Sequence, residues 1–170
     1  MKILIRIIIL AISLISLGCK KNGLVEIPLN KISENLKYAA NQSAKNIVGF
    51  CNNEEDFSGF QSRSSPKSFL QFRAGKYDLT CYVFNNEISS EIELGELYKV
   101  NLLKAGVKRF KYKLNVFSEK YSSMELHVDI NSFKHIANYK IHGKLRDEEK
   151  WISVLDELEL EVRKFIKSSK

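Results

Sequence analysis

The sequence is poor in the residues that mark several specialised classes of protein. Its 170 residues include two prolines and eight glycines, which excludes a collagen-like chain and gives no sign of disorder. Three cysteines are too few for a disulfide-dense miniprotein. Hydrophobic residues make up 44% of the chain and charged residues 28%, enough for one domain with a sizeable core. The composition therefore predicts a single globular domain.

The motifs of familiar catalytic and cofactor sites are also missing. The chain has no HExxH, GxSxG or GxGxxG pattern and no phosphate-binding P-loop. The strand register predicted for its second half puts His127 and His142 about 20 Å apart, too far to share a metal ion or a proton. We therefore predict no catalytic residue, no metal site and no cofactor. A catalytic set assembled only in space stays open.

The first eighteen residues are typical of a signal peptide. Lys2 and Arg6 form a basic start, and an apolar run that only two serines interrupt leads to Gly18. A membrane-spanning helix needs about 20 apolar residues, whereas this run is shorter and contains an arginine. A signal peptide over 1–18 is therefore favoured over an uncleaved anchor.

The end of this segment carries a more specific pattern. Ile15-Ser16-Leu17-Gly18-Cys19 resembles the lipobox of bacterial lipoproteins, in which the cysteine is diacylglycerylated and becomes the mature N-terminus. The resemblance covers residues 1–19 alone. It implies that Cys19 carries several acyl chains, palmitate among them, and several chains together hold a protein stably on a bilayer. The alternative is an exported protein whose cysteine is not lipidated.

The lipobox resemblance sets the expected organisation and location. We expect a lipid-anchored tether over 19–29 and a single domain over 30–170. The protein would lie in the bacterial cell envelope, on the outer membrane and facing the periplasm. The mature chain keeps 25 basic and 20 acidic side chains, because the signal peptide removes only Lys2 and Arg6. This balance permits attraction to an acidic protein or anionic lipid, and it does not argue for nucleic acid.

Two cysteines remain after Cys19. An exported chain meets an oxidising compartment, so Cys51 and Cys81 are expected to form a disulfide. The closed loop would stabilise the fold by roughly 3–4 kcal/mol. The alternative is a pair of buried free thiols that act as small hydrophobic side chains.

The first half of the mature chain gives mixed signals of secondary structure. Apolar residues at helical spacing predict a helix over 31–49 that ends at Gly49. Residues 51–67 are rich in asparagine and serine and predict a loop. Strands are predicted over 68–73 and 76–84, joined by a turn at Ala74-Gly75.

The second half alternates strictly between apolar and polar residues. Strands are predicted over 96–103, 109–117, 124–130 and 133–145, each with one buried and one wet face. Because these runs follow one another closely, we expect an antiparallel meander. A two-residue turn at Asn131-Ser132 would pair Val128 with an inward-pointing His135 and would set His142 opposite Tyr121.

A final helix is predicted from one apolar stripe, with Asp147 as its N-cap. The stripe consists of Trp151, Val154, Leu155, Leu158, Val162, Phe165 and Ile166. The predicted fold class is therefore α+β: an antiparallel β-meander sheet with an N-terminal helix and a C-terminal amphipathic helix packed on its apolar face.

The wet face of the sheet is the most informative surface. Its candidate partner-binding residues are Arg109, Lys111, Lys113, Lys134, Lys140 and Lys144. Two interpretations are open: a basic surface for an acidic protein partner, or a solvated face on which opposite charges pair across strands.

The anchor, the small domain and the charged face together suggest a function. We expect a lipid-anchored, non-enzymatic protein-binding or inhibitor module of the immunity type. The alternatives are a structural or assembly accessory of an envelope complex and an envelope hydrolase.

Overall fold

The alternating segments form one six-stranded sheet in the computed structural model, which describes residues 24–88 and 91–168. All neighbouring strands are antiparallel and lie in chain order, so the predicted meander is confirmed. The strands are β1 (Val25–Ile27), β2 (Glu93–Leu102), β3 (Lys108–Asn115), β4 (Tyr121–Ile130), β5 (Ile136–Leu145) and β6 (Trp151–Ser153). The predicted signal peptide and Cys19 lie outside the described residues. The predicted tether over 19–29 overlaps β1, which is part of the sheet.

Helices lie between β1 and β2 and after β6, so the α+β class is also confirmed. They are α1 (Glu34–Gly49), α2 (Glu54–Arg63), α3 (Pro66–Gln71), α4 (Tyr77–Tyr82) and α5 (Val154–Ser168). Two π-helical turns, Phe72–Lys76 and Val83–Glu87, continue α3 and α4. Helix α1 matches the predicted helix over 31–49. Within the described part of the chain, no helix has the length and apolar character needed to cross a membrane.

The segment 51–84 corrects two predictions, because it is helical throughout most of its length. The polar residues taken for a loop are helix caps: the Asn53 side chain accepts a hydrogen bond from the Glu55 N–H at 2.8 Å. Three carboxylates then fill the first turn of α2, where the helix dipole favours negative charge. Ser65 and Pro66 begin α3 in the same way. The strands predicted over 68–73 and 76–84 were therefore wrong.

An aromatic cluster explains why this helical segment is stable. Phe60 and Phe72 are buried with their ring centroids 4.3 Å apart, and the Phe50 ring lies 5.2 Å from Phe72. Tyr139 of β5 joins the cluster and forms a buried hydrogen bond with the Thr80 hydroxyl at 2.7 Å. Burial of each such ring stabilises the fold by roughly 1.5–3 kcal/mol, which outweighs a local preference for strand.

One hydrophobic core lies on one face of the sheet. The inward-facing side chains include Phe110, Tyr112, Leu126, Val128 and Ile141. Helix α1 covers them with small residues and Ile47, and α5 joins the core through Val154 and Leu155. The predicted C-terminal helix is therefore confirmed, but it begins at Val154. Trp151 belongs to β6, paired with Lys144, and Asp147 lies in a turn instead of at the N-cap.

The connection between β4 and β5 is longer than predicted. Residues 131–135 form the turn, in which the Asn131 side chain accepts hydrogen bonds from the N–H groups of Phe133 and His135, both at 3.0 Å. His135 is exposed, so its predicted inward orientation was wrong. Val128 pairs with Tyr139 instead of His135. This register decides which polar residues meet on the other face.

Candidate functional site

The polar face of the sheet is built by the strand alternation. Phe110, Tyr112 and Leu114 of β3 point into the core, so Arg109 and Lys111 point away from it. The buried side chains of the helices join the core on the opposite face. The long side chains of the polar face therefore remain partly exposed, and Lys113 is its most exposed paired lysine at 56%.

A line of basic side chains crosses four strands on this face. Lys99 of β2 is directly opposite Lys111 of β3, Lys111 is opposite His127 of β4, and His127 is opposite Lys140 of β5. We call these four residues the cross-strand row. Three interstrand steps of about 4.8 Å give the row a length of about 14 Å. Like charges directly opposite one another destabilise a sheet, so the Lys99–Lys111 pair has a cost to the fold.

Carboxylates form ion pairs with the lysines at the two ends of the row. The Glu26 carboxylate lies 2.6 Å from the Lys99 ammonium group, and the Asp156 carboxylate of α5 lies 2.9 Å from the Lys140 ammonium group. Among the described residues, no carboxylate lies within 4.0 Å of the Lys111 ammonium group. Partial burial lowers the pKa of Lys111, and the charge of Lys99 lowers it further, while Glu125 opposes both effects. Lys111 is therefore the least compensated cation of the row.

His127, a member of the row, stacks on a second histidine, His142. The ring centroids of His127 and His142 are 4.2 Å apart, so the predicted separation of about 20 Å was wrong. The prediction failed because Glu125, and not Tyr121, is the partner of His142 across the strands. The Nε2 atom of His127 lies 3.0 Å from a Glu125 carboxylate oxygen.

Burial keeps this histidine pair neutral near pH 7. His127 is only 6% exposed, and burial lowers its pKa to about 4. Burial also lowers the pKa of His142, and the charge of Lys140 adds to that effect. In the ranges 24–88 and 91–168, no three histidine, cysteine or acidic side chains are arranged to hold a metal ion.

Arg109 lies next to the cross-strand row, two residues before Lys111 on β3. Its guanidinium donates two hydrogen bonds to Asp129, at 2.7 and 2.8 Å, in the bidentate geometry that suits a carboxylate. Asp129 has a side chain only 7% exposed. Arg109 is therefore occupied by an internal partner.

The other predicted binding residues differ in their surroundings. Lys113 pairs with Glu96 at 2.5 Å, and Lys144 lies 3.6 Å from Glu149. Lys134 is exposed in the turn between β4 and β5, with a positive φ of 63°, away from the row. The polar face thus carries both signs of charge, and four of the six predicted residues have carboxylate partners.

The cysteine prediction is confirmed by a disulfide between Cys51 and Cys81, whose Cα atoms are 5.4 Å apart. It ties the segment after α1 to α4 and so closes the helical segment on itself.

The sequence reasoning missed Lys99 as a site residue. Its alternation with Val100 already indicated an outward side chain, but its position opposite Lys111 depends on a bulge between Leu97 and Lys99.

Comparison of the chain with protein-family models, with curated proteins and with solved structures found no significant match.

Proposed function

We propose that the protein is a lipid-anchored, non-enzymatic protein-binding module of the bacterial cell envelope, acting as an inhibitor of the immunity type. The observation that carries this proposal is the cross-strand row, in which Lys111 is the least compensated cation. The like charges of Lys99 and Lys111 face each other on adjacent strands and cost stability, and a partner's carboxylates would relieve that cost on binding. The partner is therefore an acidic surface of another protein.

The surroundings of the row favour recognition of one specific partner. Glu26 and Asp156 at its ends would repel an acidic surface that is displaced along the row. Opposite charges at defined positions select a partner and its register more than they add affinity. Central strands that pair on both sides also hold the side chains on a rigid base.

The disulfide supports the cellular location in this proposal. Disulfides persist in oxidising compartments such as the bacterial periplasm and are rare in the cytosol. Together with the lipobox resemblance at Cys19, it favours an outer-membrane lipoprotein that faces the periplasm.

The anchor is tested by Cys19→Ser. We expect the substituted protein to leave the membrane fraction or to remain unprocessed, as measured by fractionation and by mass of the N-terminus. A variant that is cleaved and fractionates like the wild type would contradict the lipoprotein proposal.

The recognition surface is tested by photo-crosslinking in intact cells. A crosslinking amino acid at position 111 is compared with one at position 67, an exposed lysine of α3 on the helical side. We expect one dominant adduct from position 111 alone, identified by mass spectrometry. A secreted toxin or hydrolase supports the inhibitor, whereas resident membrane machinery supports the assembly accessory.

Charge reversal then tests the chemistry of the contact. Lys111→Glu should slow association with the captured partner, and the wild-type complex should weaken as salt rises, because exposed charges are screened over about 8 Å at physiological ionic strength. Lys67→Glu changes the net charge equally and should have little effect. Equal effects of both reversals, with both variants folded, would contradict recognition by the row.

A further inference from the structure

One end of the sheet exposes an unusual amount of apolar surface. Phe133 is 79% exposed, Val25 is 62% exposed and Leu24 is 49% exposed. These residues belong to the start of β1 and to the turn 131–135. The turn 131–135 and the connection 103–107 emerge side by side, because Lys108 pairs with Ile130. We call this surface the apolar sheet end, and it consists of Leu24, Val25, Leu102, Leu103, Val107 and Phe133.

The exposure of Phe133 is fixed by the backbone around it. Its N–H donates to the Asn131 side chain, and the Lys134 N–H donates to the Asn131 carbonyl oxygen at 3.0 Å. A turn held in this way presents the ring to the surroundings instead of folding it onto the domain. Large apolar groups gathered at one place on a surface mark an interaction site.

The charges beside the apolar sheet end differ from those of the polar face. Lys104, Lys108 and Lys134 surround it, and among the described residues none of them has a carboxylate within 4.0 Å. The acidic side chain that lines the nearby depression, Asp129, is already bound by Arg109. The surface is therefore apolar at its tip and cationic around it, which suits an anionic bilayer.

The position of the chain start identifies the occupant. Four residues separate Cys19 from Leu24, and an extended chain spans at most about 3.6 Å per residue. A lipid on Cys19 therefore holds Leu24 within about 18 Å of the bilayer. Leu24 precedes β1 directly at the apolar sheet end. We infer that this end rests on the membrane, with Phe133 and Val25 inserted among the lipid headgroups.

This inference rests on the proposed lipid anchor but makes a separate claim about orientation. The single native tryptophan supplies an internal control. Trp151 is 43% exposed and pairs with Lys144, which pairs with Ser123 near the far end of β4. The seven residue steps of β4 from Ser123 to Ile130, at about 3.3 Å each, separate it from the apolar sheet end by roughly 23 Å.

The test is fluorescence quenching by brominated lipids. The full chain is purified from bacterial membranes and reconstituted into vesicles of phosphatidylcholine and phosphatidylglycerol with brominated acyl chains. The wild type reports from Trp151, and the double variant Phe133→Trp, Trp151→Phe reports from the apolar sheet end. Circular dichroism verifies that both are folded, and mass spectrometry of the same samples reports acylation of Cys19.

We expect the introduced tryptophan to be quenched several times more strongly than Trp151. Weak and equal quenching in acylated protein would overturn the inference and leave the lipid anchor intact. An unmodified Cys19 would overturn the anchor instead. The quenching measurement on that unmodified protein with excess anionic vesicles then decides the docking alone: salt-sensitive quenching at position 133 supports it, and no quenching overturns it.

Discussion

Loss of the Cys51–Cys81 disulfide should lower the free energy of unfolding, and the number of residues between the two cysteines determines by how much. They are 30 residues apart, and the chain-entropy relation for a loop of that length gives about 3.6 kcal/mol at 25 °C. For a domain of this size, each kcal/mol changes the melting temperature by about 2–4 °C, so we expect a decrease of about 10 °C. The perturbation is the double variant Cys51→Ala, Cys81→Ala.

The measurement is urea and thermal unfolding with and without reductant. Reduced wild type should fall to nearly the stability of the double variant, because both lose the same cross-link. The variant itself should not respond to reductant, which serves as the control. A loss of less than about 1 kcal/mol on reduction would refute the entropic reasoning. Two free thiols from these positions in denatured, unreduced protein would refute the bridge itself.

Three further predictions concern single interactions. Arg109→Met should cost about 3–5 kcal/mol in urea unfolding, since it leaves the buried Asp129 carboxylate unpaired, and adding Asp129→Asn should recover much of the loss. Gly143→Ala should cost about 1–3 kcal/mol, because a Cβ there would lie 2.5 Å from the buried Tyr121 ring. Burial of His127 should make stability fall by about 3 kcal/mol between pH 6.5 and pH 4, because the unfolded state takes up a proton that the buried side chain does not accept until the pH is about 4. His142, whose pKa burial also lowers, adds to this loss. His127→Gln should make the loss of stability smaller, and an unchanged pH dependence would contradict the assignment.

The sheet could be predicted because its sequence pattern and its burial have the same period. On β3, Phe110, Tyr112 and Leu114 alternate with charged residues, and such alternation fits a strand with one buried face. Helix α1 was recognisable for a similar reason, since its apolar residues recur at helical spacing. In both elements local pattern and tertiary environment favour the same structure.

The segment 51–84 was misassigned because its local sequence pattern and its tertiary environment favour different structures. Val83 and Phe84 have side chains that favour strands, and asparagine and serine are common in turns. In the fold, the same polar residues cap helices, and aromatic rings from different helical segments, such as Phe60 and Phe72, pack on one another. The aromatic cluster is a long-range interaction, and a local pattern contains no information about it.

The polar face shows which part of a site a strand pattern can predict. The β4–β5 turn has five residues and not two, and a register irregularity between Asp129 and Ile130 adds one more position. The partner of Val128 therefore moves from His135 to Tyr139, a shift of four positions. An even shift keeps each side chain on its predicted face but changes its neighbours. Lys111 and Lys140 were therefore assigned to the correct face. The stacking of His127 on His142 depends on the register and could not be found from alternation alone.

The two proposed surfaces make a combined prediction, because one lies at the strand ends and the other crosses the strands. With the apolar sheet end on the bilayer, the strands rise from the membrane and the cross-strand row runs parallel to it. Lys111 is three residues along β3 from Lys108, so the row lies roughly 10 Å further from the membrane than the apolar sheet end does. A partner would then approach from the side, and each surface should be separable from the other. Lys111→Glu should leave the quenching at position 133 unchanged while it slows partner association, and Phe133→Ser should weaken vesicle docking without changing the photo-crosslinks from position 111. A single variant that abolishes both, in folded protein, would mean that one surface performs both roles.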